Sequence, residues 1–152
     1  MPSIPPSYLY TFFAMLAISS LLVFSFIAYT NTVRFSSEIQ QLKRLIDTIA
    51  AKSTNLITLT LLTNATSEDS VQMPTIVGSR QYWLQLHNSS TIAWIEAGFG
   101  SIAMENAGLN VYLPKEAIAE GTYIAGNGAA HLVCDFRNGT PYIRLEGSNA
   151  GE

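Results

Sequence analysis

The feature that most constrains this chain is the absence of any charged side chain before Arg34, with an apolar run at its heart from Tyr8 to Tyr29, YLYTFFAMLAISSLLVFSFIAY. A helix of about 20 residues crosses the roughly 30 Å hydrocarbon core of a bilayer, and this run supplies that length. The expected state of such a segment is a helix surrounded by lipid or by other apolar helices. A cleaved secretory signal is the competing reading. It requires a basic start, an apolar core of about 7–15 residues and a small-residue cleavage site. No basic side chain stands at the start here and the apolar run is longer, so a retained helix is expected.

Glycine and proline divide the chain. Pro5 and Pro6 suit the first turn of a helix. No Gly or Pro then occurs from Ser7 to Met73, while all ten glycines fall between Gly78 and Gly151. The expected layout is a helical segment over 1–63 and a strand-rich domain over 64–152. Beyond Tyr29, Phe35, Ile39, Leu42, Ile46, Ile49, Ser53 and Leu56 recur at alternating spacings of four and three, with charged residues off that line. This is a heptad seam. It suits a helix packed on other helices and equally an amphipathic helix lying on its own domain's sheet. A helix from Ser7 to about Ser53 would be about 70 Å long, more than a bilayer needs. LITLTLL at 56–62 is compatible with a strand, but no breaker precedes it and helix is favoured through Thr63; NATSEDS at 64–70 reads as a loop.

From Val71 the period changes to two. Strand candidates run over 71–77, 82–87, 91–96, 109–113, 121–125, 130–137 and 142–146, with a turn at Asn88-Ser89-Ser90. Asn127-Gly128 and Asn138-Gly139 each suit a tight type I′ hairpin, because both positions need φ > 0. Together they predict a three-stranded meander. Seven strands in so short a stretch predict an α+β chain: a long hydrophobic helix followed by a small antiparallel β-sandwich or barrel. The expected inner face is Leu84, Leu86, Leu109, Val111, Leu113, Ile124, Leu132, Cys134, Phe136, Ile143 and Leu145. A domain this small buries only about 60% of its unfolded surface, so the helix stripe is expected to complete its core.

Composition and motifs narrow the function. A net charge of −3 without a Lys/Arg cluster argues against nucleic acid. Cys134 is the single cysteine and is expected as buried filler; His131, three residues away on a strand, points to the other face. His87 at a hairpin end and the acids Glu96, Glu105, Glu116, Glu120 and Asp135 are expected to be solvated. Two separated histidines do not make a metal site. Gly98-Phe99-Gly100-Ser101-Ile102-Ala103 imitates a dinucleotide loop, but strand-and-turn sequence surrounds it where a helix would have to follow. No catalytic residue, cofactor or small-molecule substrate is therefore expected. Asn64-Ala65-Thr66, Asn88-Ser89-Ser90 and Asn138-Gly139-Thr140 are glycan-acceptor patterns, all in expected turns. Orientation is pulled two ways. Arg34, Lys43, Arg44 and Lys52 follow the apolar run and favour a cytoplasmic domain, whereas the acceptor patterns favour an exterior one, which is the expectation taken.

An uncharged N-terminal hydrophobic helix running on into an amphipathic stretch and then a small β-domain resembles the type IV pilin-like proteins, particularly those of archaea. The likeness is one of layout over the whole chain. No basic-Gly leader junction precedes Tyr8, and no acid lies near the start of the run as in bacterial members. The resemblance implies a cell-surface filament whose partners are copies of the same chain, bundled through helices, with the membrane holding the subunit before assembly. It makes 8–56 the assembly helix and 71–146 an outward, often glycosylated shell. The helix contacts it implies are Phe12, Phe13, Leu16, Leu21, Leu22, Phe24, Phe26, Ile39, Leu42, Ile46 and Ile49. The alternative expectation is a single-pass envelope protein whose β-domain binds a surface layer or a filament motor.

Overall fold

The computed structural model describes residues 6–90, 92–103, 108–115 and 117–148. Pro5, Glu105, Glu116 and Gly151, named above, and the first residue of the strand candidate 91–96 lie outside them. One helix, α1, runs from Pro6 to Thr63 and is followed by seven strands: β1 Ser67–Val71, β2 Tyr82–Asn88, β3 Ala93–Phe99, β4 Leu109–Tyr112, β5 Ile118–Ile124, β6 Ala130–Arg137 and β7 Thr140–Gly147. The fold is α+β. The strands form one open sheet in the order β1-β6-β7-β5-β2-β3-β4, so the described strands neither close into a barrel nor stack as two sheets. All pairs are antiparallel except β5 with β7.

The chain divides into two compact units, 1–37 and 38–152. The boundary between these units falls inside α1, whereas the change in sequence period lies at the end of that helix. The reason is packing. Leu42, Ile46, Ile49, Leu56 and Ile57 are buried in one cluster with Leu84, Leu86, Ile95, Tyr123, Leu132, Ile143 and Leu145 of the sheet. The last seven turns of α1 thus belong to the β-rich unit and cover one face of its sheet.

Three strand expectations are corrected. The stretch 64–70 contains most of β1, not only a loop, and of 71–77 only Val71 belongs to a strand, Val77 making only a bridge with Arg80. Asn138-Gly139 does form the tight turn, with φ of 52° and 81°. Asn127-Gly128 does not: the positive φ values there are those of Gly126 and Gly128, and β6 moves away to leave a gap that β7 fills. Gly121 makes that insertion possible. Its φ is +123°, and a Cβ there would overlap the Leu145 backbone of β7. In the core, Tyr123 takes the place expected for Ile124, which pairs with Trp83 on the other face.

Candidate functional site

The first unit presents a continuous apolar helix surface. In Pro6–Val33 every large hydrophobic side chain is exposed, including Phe12, Phe13, Leu16, Leu21, Leu22, Phe24 and Phe26. Over the most apolar window of the helix the share buried by the chain itself is zero. Burying a Leu or Phe side chain is worth about 1.5–3 kcal/mol relative to leaving it in water, so this surface requires apolar surroundings. The polar atoms in the segment are compatible with that. The hydroxyls of Thr11, Ser20, Thr30 and Thr32 donate to the carbonyls of Ser7, Ala17, Phe26 and Ala28, three or four residues back, at 2.9–3.0 Å. Hydroxyls satisfied within their own helix carry little penalty in hydrocarbon. By length and composition α1 can cross a membrane or serve as a secretion signal.

The seam that the sequence left open is divided between the two units. Leu42, Ile46 and Ile49 are at most 1% exposed, covered by the chain's own sheet. The sheet of the same chain covers them, so they offer little surface to another copy. Ile39 is half-buried and Phe35 exposed.

Among the described residues, three side chains of its helix, Glu38, Lys52 and Thr60, make polar contacts with the rest of the second unit. The Glu38 carboxylate accepts from the backbone N–H and hydroxyl of Ser79 at 3.3 and 3.2 Å and pairs with Arg80 at 3.6 Å. Lys52 pairs with Asp69 of β1 at 2.6 Å, and that hydrogen bond holds the Asp69 carboxyl below its ordinary value. The Thr60 hydroxyl donates to the Cys134 carbonyl at 3.4 Å.

On the sheet face away from α1, His87 and Glu96 correct the expectation of two solvated groups. Glu96 is 3% exposed. His87 stacks on Trp94 at 5.1 Å, with Nε2 3.1 Å from Glu96 Oε2 but without hydrogen-bond alignment. The sequence signal for this group was the hairpin register, which places His87 opposite Trp94. Further along this face Arg137 lies over the Tyr142 ring at 4.0 Å, and the Tyr142 hydroxyl donates to Glu120. That hydrogen bond raises the Tyr142 phenol above its ordinary value.

His131 is exposed while Cys134 is buried, the alternation expected of a strand, and burial pushes the Cys134 thiol up. Gly98 lies in β3 against the Trp83 ring, and residues 101–103 are not helical. Among the described residues no group of three or more His, Cys, Asp or Glu side chains is placed to hold a metal ion. Asn64, Asn88 and Asn138 are all exposed, and the first and last have φ of 52°.

No family model, curated protein or solved structure matches the chain. What the coordinates define is a class by layout: a long apolar N-terminal helix whose C-terminal part packs on a seven-stranded mixed sheet. That layout is consistent with type IV pilin-like architecture.

Proposed function

We propose that this chain is a non-enzymatic structural subunit of a cell-surface filament, held in the membrane before assembly, with residues 38–152 on the exterior. The observation that supports this most is the exposed apolar surface of Pro6–Val33, continuous in one helix with a stretch already covered by its own sheet. The side chains left for other copies are then Phe12, Phe13, Leu16, Leu21, Leu22, Phe24 and Phe26. When helices leave lipid and pack on one another, they keep that surface from water at about 25 cal/mol per Å². The aromatic rings supply large contact areas.

The test is electron microscopy of material sheared from cells carrying the full chain, beside a Leu21→Lys variant. Filaments containing the chain are expected from the wild type. In the variant they should be lost while circular dichroism of the detergent-extracted protein is unchanged. Normal filaments from Leu21→Lys would overturn the proposal. A wild-type chain found only as a discrete detergent-soluble monomer would favour an anchored envelope protein whose sheet binds another surface component.

A further inference from the structure

We propose that the sheet face away from α1 is a binding track for a neutral polysaccharide, running from β7 across β5, β2 and β3 to β4. The register puts one side chain of each of these strands in a line. Arg144 of β7 is paired with Glu120 of β5. Glu120 stands one residue before Gly121, which is paired with Leu86, so His87 of β2 comes next. His87 is paired with Trp94 of β3, and Trp94 with Tyr112 of β4. From β7 to β4 the line is roughly 19 Å long, at about 4.8 Å per strand spacing. A second line of hydrogen-bonding groups, Thr122, Gln85, Glu96 and Asn110, runs beside it. At the β7 end, Arg144 and Glu120 border a hollow of about 340 Å³ whose lining also includes Thr122, Arg137, Tyr142 and Glu146.

The chemistry along the line selects the ligand. A sugar ring has an apolar C–H face, which packs on aromatic rings, and a rim of hydroxyls, each able to donate and to accept. Tyr112 is 69% exposed and supplies a ring at one end, with His87 stacked on Trp94 beside it. At the other end guanidinium donors and carboxylate acceptors alternate: Arg144 pairs with Glu146 at 3.0 Å and Arg137 with Asp135 at 3.4 Å. Among the described residues, Arg144 Nε, Asp135 Oδ1 and His87 Nε2 are nevertheless buried without a hydrogen-bond partner. Polar groups held from water are normally hydrogen-bonded, so these three mark a network that its own side chains do not complete. Charge and polarity disfavour other partners. The carboxylates of Asp135, Glu120 and Glu146 outnumber the guanidiniums of Arg137 and Arg144, which repels an anionic polymer. A protein interface has a centre depleted of charge, whereas Glu96 and Asn110 stand directly beside Trp94 and Tyr112 on the same face.

The inference goes beyond the proposed function and holds whether or not the chain assembles. Trp83 and Trp94 are the chain's two tryptophans and both lie on this face, so their fluorescence reports on it. The full chain, in a polyoxyethylene detergent that carries no sugar, would be titrated with short neutral gluco-, galacto- and manno-oligosaccharides and separately with oligogalacturonate. A saturable fluorescence change with at least one neutral series is expected, persisting at high salt and tightening as the oligosaccharide lengthens. Arg144→Gln should weaken binding roughly tenfold or more, the loss of a charged hydrogen bond, and Tyr112→Ala severalfold through a lost ring contact, both with unchanged circular dichroism. Tyr112, exposed on an edge strand, keeps the test available should Arg144→Gln perturb the sheet. No response to any neutral series, a response to oligogalacturonate alone, or undiminished binding by the folded variants would overturn the inference and leave filament formation untouched.

Discussion

Asp69 is an acid in an edge strand that faces inward. Its register partner Leu132 is buried, so its side chain leans toward α1, where Lys52 meets it at 2.6 Å. An inward charge on an exposed edge also discourages pairing with another strand. The carboxyl titrates below its ordinary 3.8 chiefly because of the Lys52 hydrogen bond, opposed by desolvation. Since the folded value lies below the unfolded one, the contribution is complete above 3.8 and disappears as pH falls through the folded value. Both side chains are more than a third exposed, so the stabilisation is under about 1 kcal/mol. Asp69→Asn should therefore cost a few tenths of a kcal/mol to about 1 kcal/mol at neutral pH, read by denaturant unfolding. That cost should vanish in acid well below 3.8; a pH-independent cost would show that the pair is not its source. The same residue explains why β1 was hidden in the sequence. Its Ser-Glu-Asp-Ser run has no apolar alternation, because the only buried-side charge is matched by a helix residue that no local pattern reveals.

At the scale of elements, β7 slides between β5 and β6, and two glycines of positive φ differ in what surrounds them. Gly121, at φ +123°, has the Leu145 carbonyl where a Cβ would go; Gly139, at φ +81°, has nothing within 4 Å. Gly139→Ala should cost only the backbone term, about 1–3 kcal/mol. Gly121→Ala should cost more than that, because the β5–β7 pairing must also open. Equal losses for the two variants in denaturant unfolding would mean that the close approach of Leu145 carries no weight. This junction also marks the limit of local reading. Asn138-Gly139 was legible because the hairpin it closes is a local event. The departure at Asn127-Gly128 was not, because a third strand competes for the same edge and nothing near residue 127 announces it. The helix seam was visible for the same reason that its target was not: a stripe at spacings of three and four looks identical whether a sheet or another helix covers it. The exposed apolar surface was fully legible, since an uninterrupted run without charge leaves few ways to be folded inside a chain this short.

For the whole molecule, the location of the unit boundary inside α1 decides which fragment can stand alone. Residues 38–152 contain both the sheet and the helical turns that cover it, with Leu42, Ile46, Ile49 and Ile57 at most 1% exposed in the shared core. Four such side chains contribute about 1.5–3 kcal/mol each, a sum comparable with the entire stability of a typical domain, about 5–15 kcal/mol. The fragment 38–152 should accordingly express without detergent as a folded monomer with a cooperative thermal transition. Removing the helix as well, to leave 64–152, exposes the inner face of an open sheet that has no second layer among the described residues. That fragment should be unfolded or aggregated, seen as loss of the transition and of dispersed amide resonances. A folded 64–152 would mean that the sheet has a core of its own and that the domain boundary belongs at Thr63 after all. A folded 38–152 that still partitions into membranes would place the affinity for apolar surroundings outside Pro6–Val33, and with it the surface on which assembly is proposed to depend.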